Sequence, residues 1–376
     1  EYGCMKNEKG FIKVILMLII IALIGILVFF GYAMYSEFTG EGTIILGNLE
    51  VTFPSNENRE QINNSNLKID NTIVDYTDNT LTGIKEYENR YLYKQLSSSE
   101  KLIYSKLYDN IENLKTGTYK IEFGNAFKDI LEQENGTNKL QEYYQTAIEA
   151  FTYDNPDIFF LDVTKMYINI ETITKLFSTK YNVYITNAQD PTYLADYFKS
   201  KEQIDKCQKE IENIKEQILA NIENESDFEK VKYIHDYLID NIEYEQTFIE
   251  PNIYNIYGAL VSKTCVCEGY AKALQYLLNE VELENVIVTG TATNNDGKTE
   301  SHAWNYVKID DEWYAIDTTW DDPIIVGGGK LTDKIKYRYF LKGSSTMSKN
   351  HFISAKFTAD GQDFEVPKLS ITDYNI

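Results

Sequence analysis

Cys267, His302 and Asp317 are the residues on which a reaction can be built: a thiol as nucleophile, an imidazole as its base, and a carboxylate to orient the base. They fall in that order within the run Lys263–Pro323. KTCVCEGYAKALQYLLNE carries the cysteine, ESHAWNYVKI the histidine and EWYAIDTTWDDP the aspartate. An imidazole beside a thiol stabilises the thiolate and can later protonate a leaving group.

The elements that must position them are legible from spacing. Tyr270, Ala271, Leu274, Leu277 and Leu278 recur as one helical face, which predicts a helix with Cys267 in or just before its first turn. The free N–H groups and dipole of a helix start favour thiolate over thiol. SHAWNYVKI reads as a strand beginning at His302. EWYAID reads as its hairpin partner, turning at Asp310-Asp311 and ending at Asp317. A carboxylate at that end can accept from the imidazole and fix its tautomer. Asp321-Asp322-Pro323 then reads as a turn.

The other histidines lack such company. His235 lies in the helical stripe Val231, Ile234, Leu238 and Ile242 behind the cap pattern Ser226-x-x-Glu229. No acidic or thiol partner stands at a defined spacing, so it is read as structural or partly exposed. His351 follows Lys349-Asn350 in a C-terminal tail and is expected at the surface. Four cysteines, Cys4, Cys207, Cys265 and Cys267, are too few for a disulfide framework. Cys207 falls in the stripe Ile204, Ile211, Ile214, Ile218 and Ile222, as a small buried hydrophobe. Cys265-x-Cys267 has no second ligand pair, so no metal is expected, and no cofactor.

Taken together, these residues resemble the transglutaminase-like superfamily, in a form similar to bacterial cytokinesis-type transglutaminase/protease-like proteins. The pattern G-x-C-x-G-Y-A matches at Cys267, Gly269, Tyr270 and Ala271. H-A-W-N matches at His302, Ala303, Trp304 and Asn305, and W-Y-x-x-D-x-T-W at Trp313, Tyr314, Asp317, Thr319 and Trp320. The resemblance covers about Asp227–Ser345. It implies an α+β fold with a papain-like/transglutaminase-like core, in which the catalytic helix packs on an antiparallel sheet, with a Cys-His-Asp triad and no metal. Cys265 stands where the family has glycine, and there it could form a mixed disulfide, hinder access or simply pack. The backbone N–H of Cys267 is the natural oxyanion donor, and Tyr257 is offered as a second.

The rest of the chain organises around this core. Residues 1–10 read as a short cytoplasmic N-terminus and 11–35 as a transmembrane helix, since about 20 helical residues span a bilayer's hydrocarbon core. Lys6, Lys9 and Lys13 on the short side place it inside. Residues 36–83 read as a linker with β-like runs such as Gly42–Leu46. Residues 84–200 read as a mixed α/β accessory region, with a helix after Ser97-x-x-Glu100 reaching Leu114 and another over Asn138–Phe151. Strands are expected at Ile158–Leu161, Met166–Ile170 and Tyr181–Ile185, and a long helix or helix pair starting at Asp190-Pro191 and running to about Asn224. Residues 201–345 form the helical lead-in and catalytic domain, and 346–376 the tail.

The net charge is -22; residues 1–36 carry three lysines against two glutamates, leaving -23 beyond them. That field repels nucleic acid and anionic headgroups. The expectation is a single-pass membrane protein with an extracellular cysteine enzyme, acting on surface proteins or cell-wall peptides. Water as acceptor would make it a peptidase or amidase, an amine a cross-linker. A non-catalytic surface scaffold for division or wall assembly is the rival.

Overall fold

The computed structural model describes residues 42–46, 49–53, 86–175, 178–187, 190–322, 332–354 and 363–375. The predicted membrane segment Phe11–Tyr35 lies outside them. Among the described residues no helix is long and apolar enough to cross a membrane. The chain divides into two units, Glu1–Thr82 with Thr172–Lys180, and Gly83–Glu171 with Tyr181–Ile376. In the first, the expected β-like run forms strand β1 (Gly42–Leu46), antiparallel to β2 (Leu49–Phe53).

The second unit begins with helix α1 (Ser98–Tyr108), where Glu100 accepts from the Ser97 N–H at 2.6 Å to complete the capping box. The helix stops before Leu114. Asn110 donates its side-chain amide to Lys106 O, leaves helical geometry, and lets Ile111–Leu114 wind as a separate turn. Helix α2 (Gly136–Asp154) runs longer than its expected span and ends before Asn155-Pro156, where the proline disfavours helical geometry at the preceding residue. Strands β3 (Ile121–Gly124), β4 (Tyr167–Lys175) and β5 (Ser178–Thr186) form a sheet in the order β3-β5-β4.

Two expected elements do not form. Ile158–Leu161 is a turn with one isolated bridge, Leu161 to Leu194, and no helix starts at Asp190-Pro191. Tyr193 and Ala195 donate their N–H groups to Gly117 O and Phe160 O, both at 2.9 Å, so their backbone is committed to an extended path. Tertiary hydrogen bonds override the Asp-Pro start signal. The helix starts instead at Ser200, whose hydroxyl caps α3 (Lys201–Leu219), with Cys207 buried as expected.

Helix α4 (Asp227–Asn241), capped by Ser226, leads into the core. Two short parallel strands follow, β6 (Glu243–Tyr244) and β7 (Thr264–Cys265). Then come helix α5 (Cys267–Glu280), strands β8 (Asn285–Thr293), β9 (Thr299–Ile309) and β10 (Glu312–Ile316), the turn of helix α6 (Thr318–Asp321), and β11 (His351–Ile353). The sheet runs β10-β9-β8-β11, antiparallel throughout. Ala271 of α5 packs with Ile287 and Ala303, and Asn305 donates to Ala271 O at 3.0 Å. The expected tail is therefore not loose: it supplies an edge strand of the central sheet. Gly290 permits this, because a Cβ there would lie 2.0 Å from Phe352 O.

Candidate active site

Helix α5 opens at Cys267, after Val266 as its N-cap. Nothing precedes Cys267 within the helix, so its N–H stays outside the helical ladder. β9 carries His302, and β10 delivers Asp317 at its end, where the carboxylate also caps α6 by accepting from Trp320 N at 3.1 Å. His302 Nε2 meets Asp317 Oδ2 at 2.8 Å. Cys267 lies near enough to favour the charged form of the ring, and with Nε2 engaged by Asp317, Nδ1 is the nitrogen left for the thiol. Cys267 and His302 line one cavity of about 1200 Å³, while Asp317 is fully buried behind them. The structure thus brings the three residues together in the order nucleophile, base, orienter.

The electrostatics follow from burial and partners. Burial opposes charge on His302, yet Asp317's charge and hydrogen bond, aided by Cys267, push it up to about 10. Burial likewise opposes the Asp317 carboxylate, but His302 and His351 hold it well below the usual carboxylate range. Each ring nitrogen facing that oxygen must carry its proton, because a carboxylate only accepts.

His351 is the residue that sequence reasoning misplaced. It is buried, not at the surface, and its Nε2 meets the same Asp317 Oδ2 at 3.0 Å. The register explains how. His302 pairs with Gly290, and His351 pairs with Ala292 two residues along β8, which puts both imidazoles on one face of the sheet. Trp320 packs against both rings, at 5.3 Å from His302 and 4.8 Å from His351. The β-prone pair Phe352-Ile353 was the one local strand signal there. His302, Asp317 and His351 offer one ligand atom each within 4.8 Å of one another, a spacing that could hold a cation. As arranged, two hydrogen bonds to one carboxylate oxygen account for all three.

Three further expectations are corrected or sharpened. His235 is wholly buried, which fits the structural of its two readings, but it does have acidic partners: Asp236 on Nδ1 and Asp321 on Nε2, each at 3.1 Å. One is its sequence neighbour, and the other arrives only through the fold. Tyr257, offered as an oxyanion donor, gives its hydroxyl to Glu210 at 2.9 Å and does not line the Cys267 cavity. Tyr153 and Tyr244 line it instead, within electrostatic reach of Cys267. Tyr244 arrives by pairing in parallel with Cys265, a contact no local pattern announces. Asp322, read as a turn residue, accepts from the Tyr270 hydroxyl at 2.5 Å and is pushed up to about 6 by burial.

Cys265 is fully buried, and burial pushes its thiol well up. It packs directly over Gly269, where a Cβ would fall 2.5 Å from the Cys265 Cβ and 2.7 Å from Ile253 O. Of the uses open to this departure from the family pattern, packing is the one its surroundings fit.

Comparison with known proteins follows the same lines. Residues 212–318 match the transglutaminase-like superfamily. A curated relative, the mouse (Mus musculus) Kyphoscoliosis peptidase, is 25% identical over 142 residues, 35% of this chain and 21% of that protein. The chain thus spans about a fifth of that relative's length. A solved TGase shares 18% identity over 47% of this chain and 50% of its own, with a TM-score of 0.28. A protein of Cytophaga hutchinsonii assigned as a cysteine protease shares 16% identity over 43% of this chain and 68% of its own, with a TM-score of 0.26. Scores this low describe partial overlaps and nothing more.

Proposed function

We propose that this chain, whose residues 212–318 form a transglutaminase-like domain, is a cysteine enzyme that transfers or hydrolyses acyl groups of surface proteins or wall peptides. One arrangement supports the reading: a thiol at a helix start lines one cavity with an imidazole whose Nε2 rests on a buried carboxylate.

In the proposed reaction the Cys267 sulfur, paired as thiolate with protonated His302, attacks a substrate carbonyl carbon. The C–S bond forms as the carbonyl electrons move to oxygen, and the Cys267 N–H donates to that oxyanion. Collapse expels an amine, which takes the His302 proton and leaves a thioester. Water or a second amine then attacks the thioester and gives its proton to His302. The electron pair returns to sulfur, releasing an acid or a new amide and restoring the ion pair. Asp317 keeps the ring oriented and its charged form stable throughout. The apolar run Phe11–Tyr35 is proposed as a membrane anchor, with the acidic remainder outside the cell.

Iodoacetamide near neutral pH tests the chemistry. Cys267 should alkylate faster than a free thiol, and a peptide library should leave a thioester on it that mass spectrometry can identify. Labelling no faster than a free thiol, with no phenotype for Cys267→Ala, would overturn the enzyme in favour of the scaffold. Protease added to intact cells should digest the acidic part, and its survival would overturn the topology.

A further inference from the structure

A second cavity, of about 620 Å³, adjoins the one that holds Cys267, and the two share Phe248, Tyr254 and Glu268 in their walls. Much of its remaining wall lies outside residues 212–318, contributed by the end of α2, the turn that follows it and the segment Ala195–Tyr197. The accessory region therefore reaches the edge of the reaction cavity.

Two independent features of this cavity point to a ligand. Its rim gathers large apolar side chains that remain in water: Ile249 is 80% exposed, Phe248 57% and Tyr254 50%. Clustered exposure of this kind marks interaction sites. The loop that presents them is fixed, with the Glu245 carboxylate accepting from Thr247 N at 2.9 Å and from Phe248 N. The second feature is polar. Asn155 lines the cavity at 1% exposure, and its amide nitrogen donates to the Tyr104 hydroxyl at 2.7 Å and to Phe151 O at 2.8 Å. Because Phe151 O only accepts, the amide cannot be flipped. Asn155 Oδ1 is left buried without a partner, an acceptor suited to an incoming N–H.

We propose that this cavity is a subsite for an extended polypeptide, taking one aromatic or long aliphatic side chain, with a backbone N–H directed to Asn155 Oδ1. The shared wall carries the same polypeptide across Phe248 and Tyr254 to Cys267. Acidic side chains are disfavoured: Lys165 pairs with Asp162 and Asp196 and Lys272 with Glu268, so no lysine at the cavity is left over to meet one, and Glu250 adds a further negative charge. The purpose of the subsite, though not its binding, rests on the cysteine-enzyme reading.

The test uses acetylated hexapeptide amides of alanine with one phenylalanine walked through every position, titrated against the full chain carrying Cys267→Ala. One position should raise affinity about tenfold or more over the all-alanine peptide, the gain expected for burying one such side chain. Aspartate at that position should abolish the gain. Ile249→Asp, at an exposed residue, should lower that peptide's affinity toward the all-alanine value with the unfolding midpoint unchanged. Affinity indifferent to phenylalanine at every position, or a gain that survives Ile249→Asp and Phe248→Asp together, overturns the subsite. Iodoacetamide on the unsubstituted chain reads the thiol separately. If Cys267 is unreactive while the phenylalanine gain holds, the subsite stands and the enzyme reading falls.

Discussion

Asp317 and Asp321 stand at the two ends of one turn of helix, and each receives a histidine Nε2, His302 at 2.8 Å and His235 at 3.1 Å. Seen as pairs they are alike. They differ in what meets the other ring nitrogen. For His235, itself wholly buried, it is a second carboxylate, the half-buried Asp236. A ring between two carboxylates donates from both nitrogens, and these partners raise His235 against the effect of burial. It is a charged clamp fastening α4 to the turn. For His302 the other neighbour is a thiol on a cavity, with which a proton can be exchanged. A histidine–aspartate pair is thus not itself evidence of catalysis; its second neighbour decides.

The largest effects should separate the two pairs most sharply. Cys267→Ala should abolish thioester formation, and His302→Ala should lower it by about 10³-fold or more, measured by mass spectrometry on folded protein. His235→Ala should instead leave the buried Asp321 carboxylate without its charged partner and cost about 3–5 kcal/mol of unfolding free energy, read by denaturant titration, with the rate per folded molecule preserved. A rate collapse in folded His235→Ala would break the comparison. One step down, Asp317→Asn should cost about 10²–10⁴-fold in rate, while Asp321→Asn should register in stability alone.

Much of this site was legible because its signals are local. A helical stripe behind Cys267, alternation after His302 and a hairpin ending at Asp317 are each written within one short segment, and the family motifs cover the same residues. What was hidden depends on register between distant strands. His351 joins the site only because β11 pairs with β8 beside Gly290, and Asp321 reaches His235 across 86 positions. The Asp190-Pro191 signal failed for the same reason, since Gly117 and Phe160 already claim the neighbouring backbone.

A pH series sharpens the comparison further. His302 is pushed up to about 10 from an ordinary 6.5, so its stabilisation is complete below about pH 6.5 and is lost as pH rises through about 10. The stability advantage of the native chain over His302→Gln should therefore be greatest near pH 6 and close toward pH 10. Asp317 has the opposite sign: held low, its contribution exists above the usual carboxylate range and disappears on acidification. An advantage over His302→Gln that grows with alkalinity would show that the ring is held neutral.

The smallest expected effect belongs to His351, and it decides whether the third histidine is packing or tuning. Its Nε2–H shares Asp317 Oδ2 with His302, so it draws off carboxylate charge that would otherwise stabilise the His302 imidazolium. His351→Phe keeps a ring against Trp304 and Trp320 but removes the donor. Asp317 then acts on His302 alone, and the alkaline limb of the Cys267 alkylation profile should move up by about one pH unit, the worth of a hydrogen bond near 1 kcal/mol. His351→Gln, which retains an N–H donor, should bring the limb back toward the native position. If both variants lose stability while the limb stays still, His351 only packs the sheet edge, and Asp317 serves a single imidazole, as Asp321 does.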